Sequence, residues 1–150
     1  MPKKSDISVV IRVKDIETNL KLLLEDRLPK QTIKPRDVIV VDNFSSEENK
    51  ELLEDYLSCI DDADMPIKFV PISEFSHPYS VNVGMEKAEG EFVAIINGHC
   101  DILSQDWLRV GRRHLADPEV AAVGGESVLP CLFVLRCLLD MLQRIPLSPR

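Results

Sequence analysis

Four short apolar runs, each breaking abruptly into polar side chains, set the rhythm of this chain. Ile7–Val13 reads ISVVIRV, Val38–Val41 reads VIVV, Ile67–Ile72 is interrupted by Pro71, and Phe92–Ile96 reads FVAII. Runs this brief and this continuously apolar predict strands buried on both faces, as in a parallel sheet. Pro71 pushes the third towards an edge, because proline cannot donate to a ladder. Phe92–Ile96 is expected at the centre. Val120-Ala121-Ala122-Val123, closed by Gly124-Gly125, predicts a fifth strand.

Between the strands the period changes to that of a helix. Asp15 is placed to cap a helix whose apolar stripe is Ile16, Leu20, Leu23, Leu24 and Leu28, with Pro29 and Pro35 marking the exit. Ser45 and Glu48 have capping-box spacing, ahead of Leu52, Leu53, Tyr56, Leu57 and Ile60. Asp61–Met65 reads as an acidic loop. Pro78 suits a first helical residue, with Val81, Met85 and Ala88 facing inward and Gly90 as the stop. Ser104, Gln105 and Asp106 open a fourth helix, lined by Trp107, Leu108, Gly111 and Leu115. Alternating strands and helices predict an α/β fold with a mainly parallel sheet flanked by helices. Residues 131–150 break this order. A helix from Leu132 to Arg144 would be apolar nearly all round, which suits a core or capping helix, or a segment that joins a partner or a membrane surface.

Size and charge narrow the classes. At 150 residues, 45% hydrophobic and 29% charged, the chain has the mix of one globular domain with its own core. A net charge of −7 argues against a nucleic-acid partner and obliges any anionic substrate to rely on a local cation. Cys59, Cys100, Cys131 and Cys137 form no CxxC pair, so reduced thiols in a cytoplasmic setting are expected. The N-terminus, MPKKSDIS, has no apolar signal core, and no run is long enough to span a membrane.

The polar side chains at the strand ends are the candidates for chemistry, because open α/β sheets bind ligands beyond the carboxyl ends of their strands. Arg12 and Lys14, ending the first strand, offer charge to a phosphate. Asp42 directly follows VIVV and can accept hydrogen bonds from a base or ribose, or cap the next turn. His77 stands at the mouth of the third helix, where anions are favoured, and Asn82 lies one turn inside; simple turn chemistry is the alternative for His77. His99 and Asp101, two apart in a turn, can converge on one divalent cation, or His99 can be structural. No GxGxxG or GxxxxGK[ST] follows the first strand, which sets aside a Rossmann dehydrogenase and a P-loop NTPase. Cys100 has no Cys–His–Asn order around it to suggest a protease.

Taken together, ISVVIRVKDIETNLKLLL, VIVVDNFSS, FSHPYSVNVGMEKAEGEFVAIINGHCD and SQDWL resemble the family 2 glycosyltransferases, from about Asp6 to Pro130. Phe75-Ser76-His77, Asn82-Val83-Gly84 and the histidine of the last turn look most like the rhamnosyltransferase-like branch of bacterial polysaccharide biosynthesis. The resemblance implies a GT-A (Rossmann-like) fold, a nucleotide diphosphate sugar as donor, an acceptor hydroxyl, and Mg²⁺ or Mn²⁺. It sets Arg12, Val13 and Asp15 beside the nucleotide, Asp42 on the base, and His77 and Asn82 near the diphosphate. The family's D-x-D metal motif falls on Asn97-Gly98-His99, so Asn97 joins the donor site while His99, with Asp101 for the missing carboxylate, is left to hold metal.

In the family the general base lies in an acceptor half beyond this motif. Gly124-Gly125-Glu126-Ser127-Val128-Leu129-Pro130 matches the entry to that half, and the resemblance then stops. Residues 1–130 are therefore expected to form the nucleotide-sugar-binding domain of a truncated or frameshifted transferase. Residues 131–150 would form an atypical apolar tail for an oligomer, a partner or a peripheral membrane contact. A non-catalytic nucleotide-binding or interaction module is the alternative. A nucleotidyltransferase would need a Gly-rich, Lys-containing first turn, which this sequence lacks.

Overall fold

The computed structural model describes residues 5–15, 17–60 and 64–125. Four strands, β1 (Ile7–Val13), β2 (Val38–Asp42), β3 (Ile67–Pro71) and β4 (Phe92–Asn97), form one sheet in the order β3-β2-β1-β4. Every pairing is parallel: Val13 lies opposite Asp42, Asp42 opposite Pro71, and Arg12 opposite Asn97. The helices are α1 (Thr18–Leu22), α2 (Glu47–Ile60), α3 (His77–Lys87) and α4 (Trp107–His114). A single π-turn, Leu23–Arg27, prolongs α1, with the Leu28 N–H bonded to the Leu23 carbonyl five residues back.

Successive strand residues point to opposite faces, and two cores result. Val9, Ile11 and Val13 of β1 with Val38 and Val40 of β2 pack against Leu20, Leu23, Leu24 and Leu28, against Leu53 and Leu57 of α2, and against Leu108 of α4. Val10, Ile39 and Val41 face the other way, onto Ile72 and the Val83 and Ala88 side chains. Burying each such side chain contributes about 1.5–3 kcal/mol, which makes β1 and β2 the rigid centre.

Several expectations are corrected. β4 is not central: among the described residues it pairs with β1 alone, and Ile95 is 46% exposed. Its apolar run fits the face turned to β1's core as well as it would fit burial on both sides. Val120–Val123 joins no ladder, and Val123 is exposed. Glu17, not Asp15, is the N-cap of α1, because Asp15 adopts φ 60, incompatible with entering the helix there. The α2 cap is Ser46, whose Oγ accepts from the Asn49 N–H at 3.3 Å, while Ser45 is occupied elsewhere. Leu52 and Met85 are exposed; Gly84, with no side chain, takes the inward position of α3 that Met85 was expected to share. α3 begins at His77, one residue before Pro78, and ends at Lys87 before Gly90. Gly90 serves a close approach instead: a Cβ there would lie 2.5 Å from the Ser8 nitrogen. The expected tail helix and the Glu126–Pro130 motif lie outside the described residues, as do Ile16, Asp61, Asp62 and Ala63.

Candidate functional site: cationic side chains at the strand ends

In the order β3-β2-β1-β4, the strands after β1 step away on one side, and the chain then crosses back to lay β4 on the other. The switch point of the sheet therefore lies between β1 and β4, where α/β folds open a crevice beyond the strand ends. Arg12 and Asn97 flank it as register partners. The Arg12 Nη2 donates to Asn97 Oδ1 at 2.7 Å, and Nη1 donates to His77 Nδ1. With Nδ1 accepting, the neutral imidazole of His77 carries its proton on Nε2 and keeps that donor for another group.

His77 is held from behind. Ser76 caps α3, its Oγ accepting from the Tyr79 N–H at 3.3 Å, and the Ser80 Oγ donates to the His77 carbonyl at 2.9 Å. The Ser76 N–H donates to the buried Asn43 Oδ1 at 3.0 Å, which ties the entry of α3 to the loop after β2. Phe75 meets the His77 ring edge-on, with centroids 4.8 Å apart at 76°, and the Lys14 ammonium sits 4.8 Å over the Phe75 ring. Among the described residues no carboxylate pairs with Arg12 or Lys14.

At the second strand end Asp42 caps the turn that follows it, the second of the two roles its position suggested. Asp42 is 0% exposed. Its carboxylate accepts from the Ser45 N–H at 3.3 and 3.4 Å and from the Ser45 hydroxyl. The Ser45 Oγ in turn accepts from the Asp15 N–H at 2.6 Å, and the Asp15 carboxylate accepts from Asn49 Nδ2 at 2.9 Å. Asp42 thus pins the loops after β1 and β2 together. The Val13 side chain is in the core, and its carbonyl accepts from the Asn43 N–H at 2.8 Å. Asn82 is exposed on α3.

The turn after β4 also departs from expectation. Asp101 turns to Arg27, with Nε to Oδ1 at 2.6 Å and Nη2 to Oδ2 at 2.9 Å. That bidentate bond, foremost among the causes, holds the Asp101 carboxyl below the usual range. His99 turns the other way: its Nδ1 lies 3.5 Å from Oε2 of Glu17, and Asn19 Nδ2 fixes its carbonyl at 2.6 Å. The structure therefore does not bring His99 and Asp101 onto one point. Among the described residues no group of three or more His, Cys, Asp or Glu surrounds a common centre. The donors that fit a divalent cation are one imidazole and one carboxylate, with Asn97 already committed to Arg12.

Glu17, Asn43, Ser45 and Phe75 are contributors that residue-by-residue sequence reasoning did not assign to the site. Each stands within five residues of a strand end in the sequence, which was the available signal.

Among solved structures, S. aureus TarS matches 88% of this chain at 22% identity and TM-score 0.58, the match covering 24% of TarS. TarS 1–349 in complex with UDP matches 85% of it at 21% identity and TM-score 0.52. The mannosyltransferase PcManGT from Pyrobaculum calidifontis, in complex with GDP-Man and Mn²⁺, matches 79% at 23% identity and TM-score 0.63. These likenesses show the fold, GT-A. The chain spans only 24% to 38% of the length of these structures. No curated protein sequence matches it. The family model for glycosyl transferase family 2 matches residues 8–131, from β1 through every described strand and helix, and the chain belongs to that family.

Proposed function

We propose that the ends of β1 and β4 take a nucleoside diphosphate sugar, and that the chain is the donor-binding part of an enzyme transferring the sugar to an acceptor hydroxyl. One observation carries this reading: Arg12 at the switch point is held by two neutral partners, in a chain of net charge −7. A guanidinium so held keeps its charge for an anion and is already oriented for it. Lys14 adds a second cation and His77 Nε2 a neutral donor. Breaking the bond between sugar and diphosphate leaves negative charge on the departing phosphate, and preorganised donors of this kind stabilise it as it develops.

Within this reading Asp42 and Asp15 act on the ligand only through the loops that they hold, and Asn82 lies one turn along α3 from His77. A bound Mg²⁺ or Mn²⁺ would neutralise part of the diphosphate charge, and His99 stands on the turn that would offer it a nitrogen. Phe75-Ser76-His77 and Asn82-Val83-Gly84 support a place in the rhamnosyltransferase-like branch of polysaccharide biosynthesis. The cysteine spacing supports a cytoplasmic setting. Residues 131–150 form, in this reading, an apolar tail that meets a partner. The complexes of the neighbours, with GDP-Man in one and UDP in another, support a nucleoside diphosphate as the shared chemistry.

The test is calorimetric titration of the full chain with UDP, dTDP and GDP. At least one binds, and Arg12→Gln weakens that one about 10- to 100-fold, as expected for losing a charged hydrogen-bond donor. Binding of none of the three, or equal affinity in the variant, overturns the reading.

A further inference from the structure

The carboxylate missing from the metal motif has a substitute elsewhere in the chain. Glu17 precedes α1, some eighty residues from the turn, yet its Oε2 is buried with no hydrogen-bond partner. An unsatisfied buried carboxylate oxygen is costly and calls for a reason. Among the described residues its charged neighbour is the His99 imidazole, with Nδ1 at 3.5 Å.

That separation is long for a charge-assisted hydrogen bond, which closes to about 2.7–2.9 Å. It is close to what a shared ion demands. Bonds of about 2.1 Å to one divalent cation set neighbouring donor atoms about 3.0 Å apart in an octahedron and about 3.4 Å apart in a tetrahedron. The imidazole is 68% exposed, so it can give way to admit an ion, whereas the Glu17 side chain is 23% exposed. The turn lies close to this carboxylate: a Cβ on Gly98 would lie 3.3 Å from Glu17 Oε2 and would crowd Val13 Cγ1 at 2.6 Å. Asn19 holds the His99 carbonyl from the same helix that Glu17 precedes.

We propose that Glu17 and His99 are paired ligands of one divalent cation, with Glu17 supplying the carboxylate that Asn97 and Asp101 do not. This deepens the donor-site reading, in that diphosphate oxygens and water would complete the shell, but the protein ligands are testable without a nucleotide.

The experiment is a titration of the full chain with Mn²⁺ alone, read by loss of the free-ion electron paramagnetic resonance signal. Pulsed measurement of the ¹⁴N coupling from a coordinated imidazole accompanies it, and circular dichroism checks the fold of each variant. The unaltered chain binds one Mn²⁺ and shows the ¹⁴N coupling. Glu17→Gln weakens binding tenfold or more, His99→Ala does the same and abolishes the coupling, and Asp101→Asn leaves both unchanged. Full affinity in Glu17→Gln, loss in Asp101→Asn, or no ¹⁴N coupling overturns the proposal. A second titration adds UDP, dTDP or GDP. Mn²⁺ binding without any nucleotide effect would keep the Glu17–His99 pair and sink the donor reading; nucleotide binding with Mn²⁺ indifferent to Glu17 would do the reverse.

Discussion

Gly84 is the position at which a single methyl group tests how closely α3 must lie on the sheet. In a helix, glycine to alanine gains about 1 kcal/mol of intrinsic propensity, so the naive expectation for Gly84→Ala is a stabler protein. The packing says otherwise. A Cβ at Gly84 would lie 3.0 Å from Val41 Cγ2 and 3.4 Å from Val10 Cγ2, and closer still to Val10 Cγ1. Comfortable carbon–carbon contact begins near 3.5–4.0 Å, so the overlap reaches about an ångström. Rotating Val10 does not relieve it, because both of its γ-methyls already crowd the site and a β-branched side chain has few alternatives. Val10 and Val41 are both 0% exposed, on the two central strands, and cannot retreat. The helix must lift, at the upper end of the 1–3 kcal/mol typical of overpacking or somewhat beyond. Subtracting the propensity gain leaves a net loss of about 2 kcal/mol, or a fall in Tm of about 4–8 °C for a domain of this size. Urea denaturation and thermal melting of Gly84→Ala measure it, and Val10→Ala on that background should recover most of the loss. A Gly84→Ala protein as stable as the parent, or stabler, would refute the account of α3 packing.

Two further outcomes separate structural from ligand-facing carboxylates. Asp42→Ala should cost about 1–3 kcal/mol in chemical denaturation, because it strands the Ser45 hydroxyl and N–H in a buried site; combined with Ser45→Ala, the loss should fall well short of the sum. Asp101 has a lowered pKa in the folded chain, so its contribution is fully present above its unfolded value near 3.9 and is lost as pH falls through the lower folded value. Acid titration of stability in Asp101→Asn should therefore show a shallower decline below about pH 4 than the parent, with the two curves parallel above it.

How far the sequence carried the fold is clear from particular residues. VIVV at Val38–Val41 admits no helical reading, and Pro71 fixes β3 as an edge; both stand in the structure as expected. FVAII was over-read as central because an apolar run records hydrophobicity and not which neighbours supply burial. The Ser45 cap failed by one position because Asp42 and Asp15, distant from a capping pattern, claim the Ser45 hydroxyl. Proximity to strand ends brings residues together where the backbone register decides, as with Arg12 and Asn97. It says less where a competing partner decides. Nothing in the local sequence announces that Arg27 would take Asp101, or that Glu17 would stand beside His99, since each pairing spans more than seventy residues.

The register of β1 against β4 has a kinetic side. Ile7–Arg12 meets Phe92–Asn97 only after three intervening helices and two strands have been gathered, the most distant pairing in the described sheet. Closing so long a loop is slow, and its entropy must be spent before the ladder repays it. The grip of Arg12 on Asn97 and His77 therefore belongs to the finished assembly alone, and a ligand that requires all three ignores every half-formed chain.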